Sequence, residues 1–142
     1  METWELFAND QFVLQFRHPI VTAQGEPVDR IESRAEGMLR VHILSPQIRE
    51  LYFEVTKYPH LPAKLEYQQH KQSLEQRFSE FNISDLKEIT WKSLSAYEYS
   101  FEWNEGLRTV ILVERKDGTY RILFDPRSPL NLEVLSTLEW AE

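Results

Sequence analysis

The stretch LRTVILVERKDGTYRILF (107–124) decides the fold. Two apolar, β-branched runs flank Lys116-Asp117-Gly118-Thr119. An Asp-Gly pair between such runs marks a two-residue hairpin loop of the type I′ class. That loop predicts a register with Glu114 opposite Arg121, Val113 opposite Ile122 and Ile111 opposite Phe124. One pair is ionic and two are apolar, as cross-strand chemistry prefers. Strands joined by so short a loop run antiparallel.

Working backward, Tyr97, Tyr99, Phe101 and Trp103 alternate with Glu98, Ser100 and Glu102. Asn104-Glu105-Gly106 reads as a three-residue loop with its glycine left-handed, which places Tyr99 opposite Ile111 and Glu102 opposite Arg108. A two-residue loop would bring Glu98 beside Val113, on the apolar side. The aromatic ladder then shares a face with Ile111, Val113, Tyr120, Ile122 and Phe124. The other face holds Glu98, Glu102, Arg108, Glu114 and Arg121 together with Val110, Leu112 and Leu123. It is mixed, so something covers part of it. Val110, Leu112, Leu123, Arg108 and Arg121 form the candidate binding surface. The expected cover is a short helix over about 129–138: Ser128 caps it, Pro129 suits its first turn, and Glu133 sits near its positive end.

The first half repeats the period of two. Phe12, Leu14 and Phe16 alternate up to His18-Pro19; Val28–Ala35 is a polar strand; Leu39, Val41 and Ile43 stop at Ser45-Pro46; Leu51, Phe53 and Val55 stop at Tyr58-Pro59. The period then changes. Residues 62–81 contain no glycine and no proline beyond Pro62, and at about 100° per residue Ala63, Tyr67, His70, Leu74, Phe78 and Phe81 form one stripe. Glu66, Gln69, Gln72 and Gln76 are placed on the opposite face.

The fold class that follows is α+β: an antiparallel sheet of about six strands, a long helix (about 62–81) on one face and a short C-terminal helix (about 129–138) on the other. Residues 1–142 form a single domain arranged as an α/β/α sandwich, with 107–124 central. The N-terminal strand or Val28–Ala35 is the expected edge, guarded by Asp29, Arg30, Glu32 and Arg34.

Composition narrows the function. With 142 residues, 42% apolar and 13% aromatic, the chain buries a full core and is not disordered. It has no cysteine, so neither a disulfide scaffold nor a thiolate nucleophile is available. The formal net charge is −7, with acids exceeding bases in both halves. That disfavours nucleic acid and anionic membranes as partners, because both need clustered positive charge. The longest apolar run, Val110–Val113, is far short of a membrane span. The acidic start MetGluThrTrpGluLeuPheAla has no apolar signal core, so the expected location is cytoplasmic.

Three stretches resemble the PsbP-like superfamily: PheValLeuGlnPheArgHisPro (12–19), the helix after the Tyr-Pro stop (58–81), and ThrTyrArgIleLeuPheAspProArgSerProLeuAsn (119–131) followed by ValLeuSerThrLeu (134–138). The resemblance implies a binding or scaffold role rather than catalysis, and no functional residue set is carried over with it. One cytosolic branch of the superfamily shields transmembrane segments of secreted effectors. This chain shares that branch's size and acidity, lacks the lipoprotein signal of secreted bacterial members, and lacks the basic character of the plant photosystem subunit.

Candidate chemistry is sparse. There is no phosphate loop and no GxSxG elbow. His18 and His60 sit beside prolines and His42 lies on the polar side of its strand. His70 on the apolar stripe, with Glu66 four residues earlier, offers two metal-ligand types. Glu66 facing away makes a buried, hydrogen-bonded histidine the simpler expectation. AspProArg (125–127) reads as a turn with Arg127 bonding a carboxylate, and Glu98/Glu102 as a solvated edge rather than a glycosidase pair. No catalytic, cofactor or metal residues are assigned.

The expected function is a non-enzymatic binding or adaptor module with a protein partner. Two alternatives stand beside it. A chaperone for a hydrophobic segment of a secreted partner would expose an apolar groove. A small-molecule binder or hydrolase would hold a cavity of about 300 Å³ or more beside Tyr97–Trp103.

Overall fold

The computed structural model describes residues 4–9, 11–22, 25, 27–35, 38–45, 51–77, 81–103 and 106–140. Within them the chain forms β1 (Trp4–Phe7), β2 (Leu14–Pro19), β3 (Asp29–Ala35), β4 (Met38–Leu44) and β5 (Tyr52–Tyr58), then α1 (Ala63–Arg77). There follow β6 (Asn82–Ile83), β7 (Lys87–Trp91), β8 (Leu94–Trp103), β9 (Gly106–Arg115), β10 (Gly118–Phe124), α2 (Pro129–Ser136) and β11 (Glu139–Trp140). Pro46, Phe78, Asn104 and Glu105, all used in the sequence reading, lie outside the described residues.

The strands make an eight-stranded sheet, ordered β3-β4-β5-β10-β9-β8-β6 with β7 also paired to β8, and a three-stranded sheet, β1-β2-β11. Each pairing within the named strands is antiparallel. The central position of β9 and β10 and the edge position of β3 agree with expectation. The count of about six strands does not. Three elements carry little sequence signal: β1, β6 and β11. Two of them are only two residues long, and the β7–β8 turn at Lys92-Ser93 is left-handed (φ 51° and 66°) with no glycine to announce it.

Each strand presents alternate residues to two different environments. One face of the large sheet is dry. Val41, Ile43, Phe53, Val55, Ile111, Val113, Ile122 and Phe124 pack there against Phe7, Phe12, Leu14 and Phe16 of the small sheet and its approach, and against Val134 and Leu138 in and just beyond α2. Tyr120 ties these layers: its hydroxyl accepts from the Val13 N–H at 2.9 Å and donates to Asp117 at 2.6 Å. α2 begins as read, with Ser128 Oγ accepting from the Asn131 N–H. The other face lies under α1. Ala63 and Leu74 of the helix pack with Tyr99, Phe101, Val110, Leu112 and Leu123 of β8, β9 and β10.

Three expectations need correction. First, the mixed face is covered by α1, and α2 lies on the dry face, the reverse of the sequence reading. Second, both hairpin registers differ. Trp103 pairs with Gly106, leaving two residues in the loop, so Tyr99 lies opposite Val110 and Glu98 opposite Ile111. This one-residue slip sends Tyr97, Tyr99 and Phe101 to the α1 face, because side chains alternate with period two. Phe101, rather than Glu102, then lies opposite Arg108. In the next hairpin Arg115 pairs with Gly118, so Lys116-Asp117 is the loop and Glu114 lies opposite Thr119. That shift is two residues, so the faces survive and only the partners change. Gly118 has φ +145°, and a Cβ there would collide with the Tyr58 carbonyl, so the glycine is required inside β10 rather than at its turn. Third, Glu66 is buried, although it was placed on the outer face of its helix. At about 100° per residue it lies only about 60° from Ala63, at the margin of the stripe. A charged partner beneath it decides which way the margin turns.

Candidate functional site

The partner of Glu66 is Arg121. β10 places this arginine on the α1 face, between Thr56 of β5 and Leu112 of β9. Its guanidinium spans two carboxylates, Nη2 to Glu54 Oε1 at 3.0 Å and Nη1 to Glu66 Oε1 at 3.1 Å. It also lies 5.7 Å from the centre of the Tyr58 ring. Arg40 of β4 reaches the same Glu54 oxygen at 3.4 Å, and the Thr56 hydroxyl donates to it at 3.2 Å. On the helix side the Tyr99 hydroxyl donates to Glu66 Oε2 at 3.2 Å. Its oxygen then accepts from His70 Nδ1 at 2.5 Å. The network thereby fixes the neutral tautomer with its proton on Nδ1. The His70 ring also packs edge-on against Phe101.

Electrostatics keeps Glu54 and Arg121 charged beside a neutral imidazole. Burial raises the Glu54 carboxyl, but Arg121 and Arg40 pull harder, and the net is below the ordinary carboxylate range. Burial, then the charge on Arg121, holds His70 down to about 4. Burial and the Glu66 carboxylate push the Tyr99 hydroxyl up. Arg121 stays charged, raised by Tyr58, Glu66 and Glu54 against its own burial.

Beside the network the face is open. α1 packs over β8 and β9, while farther out Ile31 of β3 is exposed and Met38, Arg40, His42 and Leu44 of β4 are half-buried. Between helix and strands runs a cleft of about 510 Å³. Gln69, His70, Ser73 and Arg77 of α1 form one wall. Arg40, Tyr52, Glu54, Arg108 and Arg121 form the floor and far side. The Arg108 guanidinium lies 4.6 Å from the Tyr52 ring centre and 3.7 Å from Asp125. Two further clefts of about 650 Å³ open elsewhere, one at the tip of the β9–β10 hairpin and one beside β11. The hairpin tip carries Glu114, Lys116 and Asp117, all exposed. The α1 cleft differs in having buried charge in its lining.

Four arginines and two glutamates line the cleft of a chain whose net charge is −7. Arg121 and Arg40 balance Glu54 and Glu66. Arg108 lies beside Asp125. Among the described residues two buried nitrogens beside the cleft lack a hydrogen-bond partner, Arg121 Nε and His42 Nε2. Arg Nε–H is a donor only, and leaving such a group unsatisfied costs about 1–3 kcal/mol. Burial also lowers the His42 pKa, and its ring edge rests on Tyr52 at 4.6 Å between centres.

The residues named from sequence sort clearly. Arg108, Arg121 and Leu123 line the cleft. Val110 and Leu112 share their face but are wholly buried under α1, so they are core rather than surface. Of the aromatic ladder Phe101 reaches the cleft, while Tyr99 is interior. Glu98 and Glu102 lie on the other side of β8, away from Tyr99. Arg127 is exposed and reaches Asp125 at 3.9 Å, with its N–H donating to the same carboxylate. His18 is buried, its ring between the Pro19 carbonyl and Arg30. Among the described residues no group of three or more His, Asp or Glu is arranged to hold a metal. The reading from sequence missed Glu54 and Arg40, and weighed Glu66 only as a metal-ligand type beside His70, on the outer face of its helix. The available signal was that Arg40, Glu54 and Arg121 all stand in the phase of their strands opposite Val41 and Ile43, Phe53 and Val55, and Ile122 and Phe124.

Comparison with known proteins places the architecture. The solution structure of cyanobacterial PsbP (CyanoP) from Synechocystis sp. PCC 6803 superposes with a TM-score of 0.65 at 8% identity, covering 99% of this chain and 94% of that one. A crystal structure from Bacteroides thetaiotaomicron gives a TM-score of 0.50 at 13% identity, covering 97% of this chain and 48% of that one. No family model matches the sequence, and no curated protein does. The chain has a PsbP-like fold.

Proposed function

We propose that this PsbP-like chain is a non-catalytic binding module, and that its ligand seat is the cleft between α1 and the β4–β5–β10–β9 floor. The observation that carries this reading is a cleft of about 510 Å³ floored by a buried ionic network. That volume is in the range of small-molecule sites, and aromatic rings with convergent polar groups are their usual lining.

Several features favour binding over turnover. Burial holds His70 down to about 4, so it is a poor proton acceptor at neutral pH. Glu54 is held ionised by Arg121 and Arg40, and Glu66 is ion-paired to the same Arg121. Tyr99 is raised, not lowered, so its hydroxyl is no nucleophile. A protein partner, the first expectation from sequence, finds less support. The β3 edge carries Asp29, Arg30, Glu32 and Arg34, a pattern that discourages strand addition. The charged cleft lining also suits an apolar helical segment poorly.

The test does not depend on the ligand's charge. Ser73 is half-buried in the cleft wall and outside the ionic network. Ser73→Trp fills the cleft. A fragment screen by amide chemical-shift mapping, with neutral, cationic and anionic compounds, should give binders that move the Gln69, Ser73 and Arg40 signals and are lost in Ser73→Trp. Fragments that bind only elsewhere, or equally to the variant, would overturn the proposal.

A further inference from the structure

We infer that two copies of this chain associate through their β3 strands, paired antiparallel about a two-fold axis at Ile31. The inference goes beyond the cleft and does not depend on it.

The first observation is an open edge. Among the described residues β3 pairs only with β4, through seven consecutive positions without a bulge. The other edge strands, β1, β6, β7 and β11, have four, two, five and two residues. No proline interrupts Asp29–Ala35. Such an edge offers a row of backbone donors and acceptors to another strand. Residues 29–34 are exposed along it. Ile31, at 51%, is the most exposed of the large apolar side chains among the described residues.

The second observation is charge. Alternating charges discourage a strand of arbitrary sequence, but they answer a second copy. With Ile31 opposite its counterpart, Arg30 lies opposite Glu32 of the partner subunit, and the reciprocal pair forms on the other side of the axis. Opposite charges so placed stabilise antiparallel strands, and like charges destabilise them. Arg30 and Glu32 already stand on one face of β3, 3.4 Å apart and part-exposed. The Phe7 ring, 5.7 Å from the Arg30 guanidinium, helps to hold it there.

The neighbouring registers are worse. Two identical edges pair antiparallel by symmetry only when the axis stands normal to the sheet, so every residue keeps its face and the axis falls on a residue. An axis at Arg30 or Glu32 sets like charges face to face. An axis at Ser33 puts a polar residue at the centre and moves Ile31 off it. With the axis at Ile31 the two large sheets become one, and both α1 clefts open on the same side.

Sedimentation equilibrium of the full chain should show a monomer–dimer equilibrium with a Kd of about 1–100 µM. Arg30→Glu and Glu32→Arg each create two like-charge pairs per dimer, and each should weaken association about tenfold or more. Mixed in equal amounts, the two variants regain both ionic pairs in the heterodimer, so the mixture should associate nearly as tightly as wild type. A folding defect in either variant cannot produce that recovery. The chain has no cysteine, so a single introduced thiol reads the register. Ile31→Cys should give a disulfide-linked dimer under mild oxidation, because Cα atoms directly opposite lie about 4.5–5.5 Å apart. Ser33→Cys should not, because its two copies are offset by about 13 Å along the strands. A chain that stays monomeric at about 1 mM, a mixture that associates no better than its components, or a cross-link through Ser33→Cys in place of Ile31→Cys would each overturn the inference. Fragment binding in the α1 cleft is read separately, so neither result decides the other.

Discussion

The two faces of the large sheet solve the same packing problem in opposite ways. On the dry face β4, β5, β9 and β10 present Val41, Ile43, Phe53, Val55, Ile111, Val113, Ile122 and Phe124 to aromatic residues of a second sheet. On the α1 face the same strands present Arg40, Glu54, Thr56, Arg108 and Arg121 alongside Val110, Leu112 and Leu123. The first face is held by non-directional burial and tolerates small shifts. The second is held by contacts whose partners must all be present. It is therefore the brittle face, and the one with room for a ligand. A core that only needed stability would have little use for Glu54 and Glu66, since buried ion pairs stabilise no better than well-packed apolar side chains.

Four measurements would break or sharpen this contrast. The largest effect belongs to the dry face. Phe53→Ala should lose about 3–5 kcal/mol in denaturant unfolding, from transfer plus the cavity left behind, with a loss that is nearly constant between pH 5 and 8. On the α1 face Arg121→Met should lose about 3–4 kcal/mol, because two carboxylates remain buried without their counter-charge. The signature that separates them is recovery. Adding Glu54→Gln and Glu66→Gln to Arg121→Met should restore more than half of that loss, whereas no polar change rescues Phe53→Ala. Failure to recover would mean that the arginine acts through its packing alone.

The third measurement is pH. In the unfolded chain His70 titrates near 6.5, and in the folded protein near 4. Between those values the unfolded chain holds more protons, so acidification favours unfolding. This contribution is fully present above pH 6.5 and is lost as pH falls through about 4. It amounts to about 3 kcal/mol at most. His18 and His42, also lowered by burial, push in the same direction. His70→Gln should flatten the stability–pH slope in this window, and an unchanged slope would show that His70 does not carry it. The smallest effect lies away from both faces. Ser128→Ala removes the cap of α2 and should lower stability by about 1 kcal/mol, with no change in the pH slope.

Much of the fold was legible because its signals are local. Phe12, Leu14 and Phe16 alternate as read and are buried. The α1 pattern stands out against period two, and Ser128-Pro129 announces α2. The charged edge at β3 and the central place of β9 and β10 were also readable. The site was much less so. Arg121 and Arg108 were singled out with Leu123, but the carboxylates assigned to them were the wrong ones. Glu54 and Glu66 stand 67 and 55 residues from Arg121 in the chain, and no spacing rule connects them. The face of the aromatic ladder turned on one loop residue between Trp103 and Gly106. The Lys92-Ser93 turn offered no glycine to read.

The sequence alone determined where the longer strands and the two helices lie, since those preferences arise from neighbours one to four residues apart. It also determined that the sheet is antiparallel, because hairpins this short admit nothing else. Only the tertiary structure decided which helix covers which face, which carboxylates meet Arg121, and that α1 leaves a cleft beside them. The reason is that Glu66 lies at the margin of its helical stripe. Desolvation turns such a residue outward unless a buried cation is already there to receive it. Whether that cation is present is settled by strands brought together from distant parts of the chain.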